Sequence, residues 1–311
     1  MIKKGLLLIG YLLTLSIFNF ESAAQVKKLK TIVVDAGHGG EDNGASAEFE
    51  NSQKSNEKDI TLAISLKLVD ELKKQLPDIN IVPTRTTDVF DNVREKARIA
   101  NEAKGDLFIC IHADATNNRR GRRQTGTKMV TKYKVRYEKK GRKKIKITEP
   151  YDVEVPIYET YIMPSEAKGT SVWIFNPTKI KDRLNAIKND EFDVQFEAED
   201  STVKHVDYST PEGRILANAY SKLYLAKADL MATLVNEEVA KTGRIARGVK
   251  QRGTGIWVLS ATKMPSILIE TGFISNDEDE KYLNSEEGQN ELVQSIVKAV
   301  LKYRQQTEVS K

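Results

Sequence analysis

Short apolar runs alternate with amphipathic helical stretches along most of this chain, and that alternation admits few folds. Residues 31–34 (TIVV) form an apolar run that ends in a glycine-rich turn, as a buried strand does. Residues 56–76 follow, with Ile60, Ile64, Leu68 and Leu72 at four-residue steps and Ala63 beside them. That spacing predicts an amphipathic helix capped by Asn56 or Ser55 and ended by Pro77. Residues 79–82 read as a second strand leading into Thr84 and Arg85. Residues 91–103 read as a helix with Val93, Ala97 and Ala100 inward, and the fully apolar 107–111 as a third strand. The alternation resumes with a strand at 169–175 and a long helix at 213–242. Strands at 256–259 and 267–269 and a last helix at 286–305 complete it. Such a succession specifies an α/β layer architecture with two insertions after the third strand, and length alone allows one large domain or two smaller ones.

The first insertion, 117–168, opens with NNRRGRRQ, and KYKVRYE and KKIKIT then alternate about KKGR, a hairpin signal. Residues 119–146 hold 14 Lys or Arg against one acid, Glu138, so this stretch carries +13 and the rest of the chain −8 within a net +5. Such a patch attracts anionic polymers, an acidic partner or a membrane surface by charge alone. A solvated hairpin without a partner fits equally. The second insertion, 178–212, is irregular, with a short helix signal at 178–190 and then an acidic stretch.

The amino terminus reads as a secretory signal over residues 1–24. Lys3 and Lys4 precede a charge-free apolar run from Gly5 to Phe20, and Ser-Ala-Ala stands before Gln25. The apolar run has 16 residues, short of the roughly 20 that a spanning helix needs, which favours cleavage over a retained anchor. The mature domain then covers 25–311. Export argues against nucleic acid as the partner of the basic insertion. The lone cysteine, Cys110, forbids an intramolecular disulfide and sits in LFICIH as a buried small hydrophobe. Export without disulfides points to the periplasm of a Gram-negative bacterium.

In open α/β sheets, ligands bind beyond the carboxyl ends of the strands. His38, His112 and Glu270 each follow a predicted strand, and Glu57 heads a predicted helix that can face the same edge. Two histidines and a glutamate make a catalytic zinc site with an open position. The fourth residue is then a candidate general base. Asp35 and Asp114 are candidates to hold the outer ring nitrogens. Taken singly, a histidine after a strand is more often structural, Glu57 could serve the helix N-terminus, and Glu270 could pair with a cation. The third histidine, His205, lies at no strand end and reads as a surface or packing residue.

The blocks DAGHGGEDNGA, NEKDITLAISLKL, PTRTTD, ARIANEAKGDLFICIHADA, GTSVWIF and MPSILIETGFISNDEDEKYL occur in this order. Together they resemble the zinc-dependent N-acetylmuramoyl-L-alanine amidases of the Amidase_3 type, over residues 30–116 and 169–305. The resemblance implies a single α/β domain with a mostly parallel central sheet flanked by helices, zinc ligands at His38, Glu57 and His112, and a catalytic glutamate at Glu270. The reaction it implies is hydrolysis of the amide between N-acetylmuramic acid and L-alanine in peptidoglycan. Arg85 lies in a matching block, either binding substrate or bracing the site; no substrate-binding residue is assigned. Cell-division members carry, at the place of 178–212, a segment whose helix blocks the active site; Glu191, Glu197 and Glu199 are the candidate blocking residues here. That implies an autoinhibited enzyme released during cell separation by a LytM-like activator, with a plain surface loop equally open. A zinc peptidase cutting within the stem peptide and an inactive wall-binding module are the competing readings.

Overall fold

The computed structural model describes residues 28–117, 119–176, 210–252 and 256–308. The expected signal at 1–24 and nearly all of the 178–212 segment, with Glu191, Glu197, Glu199 and His205, lie outside the described residues.

The strongest apolar runs become the middle of a six-stranded sheet. Strand β1 (Thr31–Ala36) and strand β8 (Ser266–Phe273) are buried at every residue, and β3 (Leu107–Asp114) at all but two. Continuous burial is what a strand covered on both faces requires. The order is β2 (Asn80–Pro83), β1, β3, β8, β6 (Thr170–Phe175), β7 (Ala246–Arg252). All neighbours are parallel except β6 and β8.

Helices α1 (Glu57–Gln75), α3 (Pro211–Ala240) and α6 (Glu286–Glu308) pack on one face. Ile32, Val34, Ile109, Ile111, Ile267 and Ile269 point there, into the larger core. Alternate residues, Val33, Phe108, Cys110 and Leu268, point the other way into a smaller core. That core is covered by α2 (Val93–Glu102) and α4 (Trp257–Ala261). Helix α5 (Asp277–Asn284) links β8 to α6.

Several expectations need correction. Residues 257–261 form a helical turn, not a strand: an apolar run of four fits either state, and here Val258 and Leu259 serve the smaller core. The strand on that edge is β7, ARGVKQR, which lacks an apolar pattern because it borders solvent. Val93 points outward at 48% exposure, and Lys96 takes the buried place in α2. His112 and Glu270 lie inside β3 and β8 rather than after them. Asn56 holds the N-cap position of α1 without capping it; its Oδ1 accepts from Ser46 Oγ.

The basic insertion is a two-stranded arm, β4 (Arg119–Lys140) and β5 (Lys143–Met163), antiparallel along its whole length. It turns at Gly141, where φ is +65°. At about 3.3 Å per residue the arm is roughly 70 Å long. Its root is tied to the domain by Glu50 N donating to Ile162 O and by the Arg123–Glu50 ion pair.

Candidate metal centre and catalytic face

Three elements bring three donors together. His38 leaves the end of β1 with φ of +58°, Glu57 opens α1, and His112 stands in β3. One donor atom from each lies within 4.8 Å of the others. Glu57 is the hub. Its Oε1 is 2.8 Å from His112 Nδ1, and its Oε2 is 3.1 Å from His38 Nε2. Backbone N–H groups of Ala113 and Ala45 donate to the same two oxygens. The two rings meet edge to face, 4.9 Å between centroids. Two glycines make this packing feasible. A Cβ on Gly37 would lie 2.6 Å from His112 Cε1, and one on Gly44 (φ +63°) 2.6 Å from Glu57 Oε2.

Charge follows from these contacts. Burial works against ionising Glu57, yet its hydrogen bonds to His112 and His38 hold the carboxyl well below the usual range. Burial likewise opposes a charged His38, but the bonds to Glu57 and Asp42 raise it to about 8. Two imidazoles around an anionic carboxylate suit a divalent cation such as zinc.

The outer nitrogen of His38 is held by Asp42, with Nδ1 2.8 Å from Oδ2. Asp35 does not perform that task. It is 1% exposed and accepts from Thr84 Oγ1 at 2.6 Å and Cys110 Sγ at 2.9 Å, with Lys96 Nζ 3.2 Å away. Burial raises Asp35, but Lys96 and the two hydrogen bonds outweigh it and hold the carboxyl below its ordinary value. Asp114 Oδ1 accepts from Ala115 N. Asp42, four residues after His38, was detectable only as an acid within a small-residue turn. Cys110 is buried as expected, and its thiol also serves as a donor.

Arg85 braces the site. At 3% exposure, its guanidinium donates to the carbonyls of Ala36, Gly37, Lys58 and Thr87. Lys96 Nζ donates to the Ala36 carbonyl as well, and reaches that of His38 at 3.4 Å. The metal-side loop is thus held by cations on its main-chain oxygens, a use that residue identity alone does not disclose.

Glu270 is paired in register with His112 on one side and Ser171 on the other, so all three share a sheet face. It is 9% exposed, and its Oε2 has no hydrogen-bond partner. Burial pushes its carboxyl up to about 7, against the pull of His112. A carboxyl displaced toward neutrality beside a metal-ligand cluster has the profile of a general base.

Known proteins resemble the chain in sequence and in fold. The chain is 26% identical over 274 residues to N-acetylmuramoyl-L-alanine amidase AmiC of Escherichia coli O6:H1, covering 88% of this chain and 52% of AmiC. It thus spans about half the length of that relative. It is also 26% identical over 308 residues to the uncharacterized protein YqiI of Bacillus subtilis, covering 98% and 99% of the two chains. The crystal structure of N-acetylmuramoyl-L-alanine amidase from Clostridium difficile 630 shares the fold, with a TM-score of 0.53 at 23% identity over 89% of this chain and 97% of that one. A family profile described as N-acetylmuramoyl-L-alanine amidase matches residues 32–302. The chain therefore belongs to the Amidase_3 family of N-acetylmuramoyl-L-alanine amidases.

Proposed function

We propose that this protein is an exported zinc hydrolase that cleaves the amide between N-acetylmuramic acid and L-alanine in peptidoglycan. The observation that carries the reading is the His38–Glu57–His112 cluster sharing a sheet edge with the buried Glu270, whose Oε2 has no hydrogen-bond partner. Zinc held by these three would polarise the amide carbonyl and lower the pKa of water to about 7. Glu270 takes the proton of the attacking water and returns it to the leaving amine. Its strand register with His112 keeps the base beside the ligand set throughout. Asp42 fixes the His38 ring, Glu57 binds both histidines, and Arg85 and Lys96 hold the loop against collapse onto the site.

Digestion of purified sacculi, with and without a chelator and followed by mass spectrometry, tests this. Expected are free lactyl ends on the glycan, lost on chelation. Cuts inside the stem peptide would establish the peptidase reading instead, and binding without any cut the inactive wall-binding module. Zinc content, measured alongside, should be abolished in His38→Ala and His112→Ala and retained in Glu270→Ala.

Three further proposals accompany the activity. Residues 1–24 act as a cleaved signal that delivers the enzyme to the periplasm; among the described residues no helix is long and apolar enough to cross a membrane. The arm binds an anionic wall polymer or an acidic partner through its tip, where Lys139, Lys140, Lys143 and Lys144 pair strand against strand. Reversing those four charges should weaken sacculus binding, and unchanged binding would favour a solvated hairpin. Residues 178–212 restrain the enzyme until a LytM-like activator releases it, a reading supported by the family resemblance alone. Deleting 178–211 should raise basal activity, and no rise would argue against restraint.

A further inference from the structure

The sheet face that carries His112 and Glu270 continues across β6 and β7, and two buried polar atoms of β6 on it, Ser171 Oγ and Trp173 Nε1, make no hydrogen bond. Among the described residues, five buried side-chain nitrogen or oxygen atoms lack a hydrogen bond. Three of the five, Glu270 Oε2, Ser171 Oγ and Trp173 Nε1, stand on this one face. Buried polar atoms are rarely left unpaired without a ligand, water or ion to meet them. Ser171 is opposite Glu270, Trp173 lies two residues along β6, and Lys250 is opposite Trp173 on β7, with Arg252 two residues on.

Two cations cover the tryptophan. Lys250 Nζ lies 5.2 Å and the Arg252 guanidinium 5.6 Å from the Trp173 ring centroid. Neither forms an ion pair among the described residues, although both interact electrostatically with Glu270. Lys250 is half-buried, and Asp114 and Glu270 act on it only through space, without a close ion pair; a partly desolvated cation so placed favours an arriving anion. Among the described residues no carboxylate forms an ion pair with these two cations, whereas Arg85 and Lys96 are held by main-chain carbonyls and, for Lys96, by Asp35.

We propose that Lys250 and Arg252, over the Trp173 indole, form a subsite for the free carboxylate that follows the scissile amide on its peptide side. Two strand spacings separate β8 from β7, roughly 10 Å, and both side chains lean back over β6. Along an extended peptide, the amide carbon and the carboxylate of the second residue are roughly 7–8 Å apart. A substrate whose amide faces Glu270 therefore places that carboxylate between the two cations. The inference rests on the amidase reading and adds specificity to it: a free carboxylate on the residue directly after L-alanine is preferred, and its amidated form is disfavoured.

The test compares two muramoyl-tripeptides on the zinc-loaded full chain, identical except that the second residue carries its α-carboxylate free or amidated. The free form should be preferred roughly 10- to 100-fold in kcat/KM, as charge-assisted hydrogen bonds warrant. Arg252→Ala should shrink that ratio, Lys250→Ala/Arg252→Ala should bring it near one, chiefly through KM, and Arg252→Lys should restore most of it. A second readout needs no turnover: titration with the free tripeptide of the preferred substrate, linked through the second residue's side-chain carboxyl so that its α-carboxylate is free, should shift tryptophan fluorescence in the wild type and not in the double variant, Trp173 being one of two tryptophans. A ratio near one in the wild type, or a preference that survives the double variant, overturns the subsite. Failure to cleave either substrate while the fluorescence shift persists overturns the amidase reading and leaves the subsite standing. Loss of both overturns both.

Discussion

Glu270→Gln should make the metal-free protein more stable and the enzyme inactive, because one property of the site causes both. Glu270 is 9% exposed, one of its oxygens is unpaired, and burial lifts its carboxyl from an ordinary 4.5 to about 7. The unfolded chain therefore ionises first. Below pH 4.5 the glutamic acid is neutral in both states and costs nothing. As pH rises through about 7 the folded protein loses stability relative to the unfolded chain. At about 1.4 kcal/mol for each tenfold change in proton affinity, the displacement sets a ceiling of about 3 kcal/mol. Glutamine keeps the shape and cannot ionise. Denaturant unfolding in chelator should show the variant gaining on the wild type by up to about 3 kcal/mol between pH 4.5 and pH 8. Using the pH dependence of the difference cancels the constant cost of the amide. With zinc restored, amidase turnover should fall roughly 100- to 10,000-fold, the contribution of a positioned base. A stability difference that is flat with pH, or that grows in favour of the wild type, would refute the claim that the fold pays for an uncompensated carboxylate.

The remaining expectations concern the parts that hold the site. Zinc must displace the proton of His38, which is raised to about 8, so apparent zinc affinity should fall about tenfold per pH unit below 8; competition with a chromophoric chelator checks this, and a flat profile would contradict it. Lys96→Met leaves Asp35 charged at 1% exposure and should cost about 3–5 kcal/mol in denaturant unfolding, whereas a loss under about 1 kcal/mol would show that the pair is not coupled. Gly44→Ala, with φ of +63° and a Cβ 2.6 Å from Glu57 Oε2, should abolish zinc retention in a metal assay. Replacing 120–161 by a short turn should change stability by less than about 1 kcal/mol, since β4 and β5 pair only with each other; a larger drop in melting temperature would tie the arm to the core.

What could be read from the sequence tracks how the residues are buried. Strands β1, β3 and β8 were legible because burial on both faces demands unbroken apolar runs. Strand β7 was not, because an edge strand facing solvent can be written ARGVKQR. Helix α4 reads as a strand because WVLS has too few residues to display a period. Helix α5 lies in a charged run without an apolar period, and its one sequence signal is Asn276 before four acids, whose side chain accepts from Glu278 N and Asp279 N. At the site, the residues were legible by position and family likeness, but their partners were not. Which acid orients His38 depends on a left-handed turn that brings Asp42 back to the ring, and on Lys96 of α2, Cys110 of β3 and Thr84 just after β2 converging on Asp35.

Asp35 and Glu270 show how the same sheet face sustains both folding and chemistry. Pairing sets Asp35 against Cys110, and His112 against Glu270, so period-two alternation places all four on one side. The two carboxyls are displaced in opposite directions. Asp35 is deeply buried, but a hydroxyl, a thiol and an ammonium meet it, so its charge is stabilised and its lone pairs are occupied. Glu270 is nearly as buried and meets no hydrogen-bond donor at Oε2, so its charge is disfavoured and its oxygen stays available to a water proton. A one-residue slip of β8 against β3 would send Glu270 into the larger core and Ile269 toward His112. The apolar register that holds the sheet together is therefore also what sets the base beside the metal ligands.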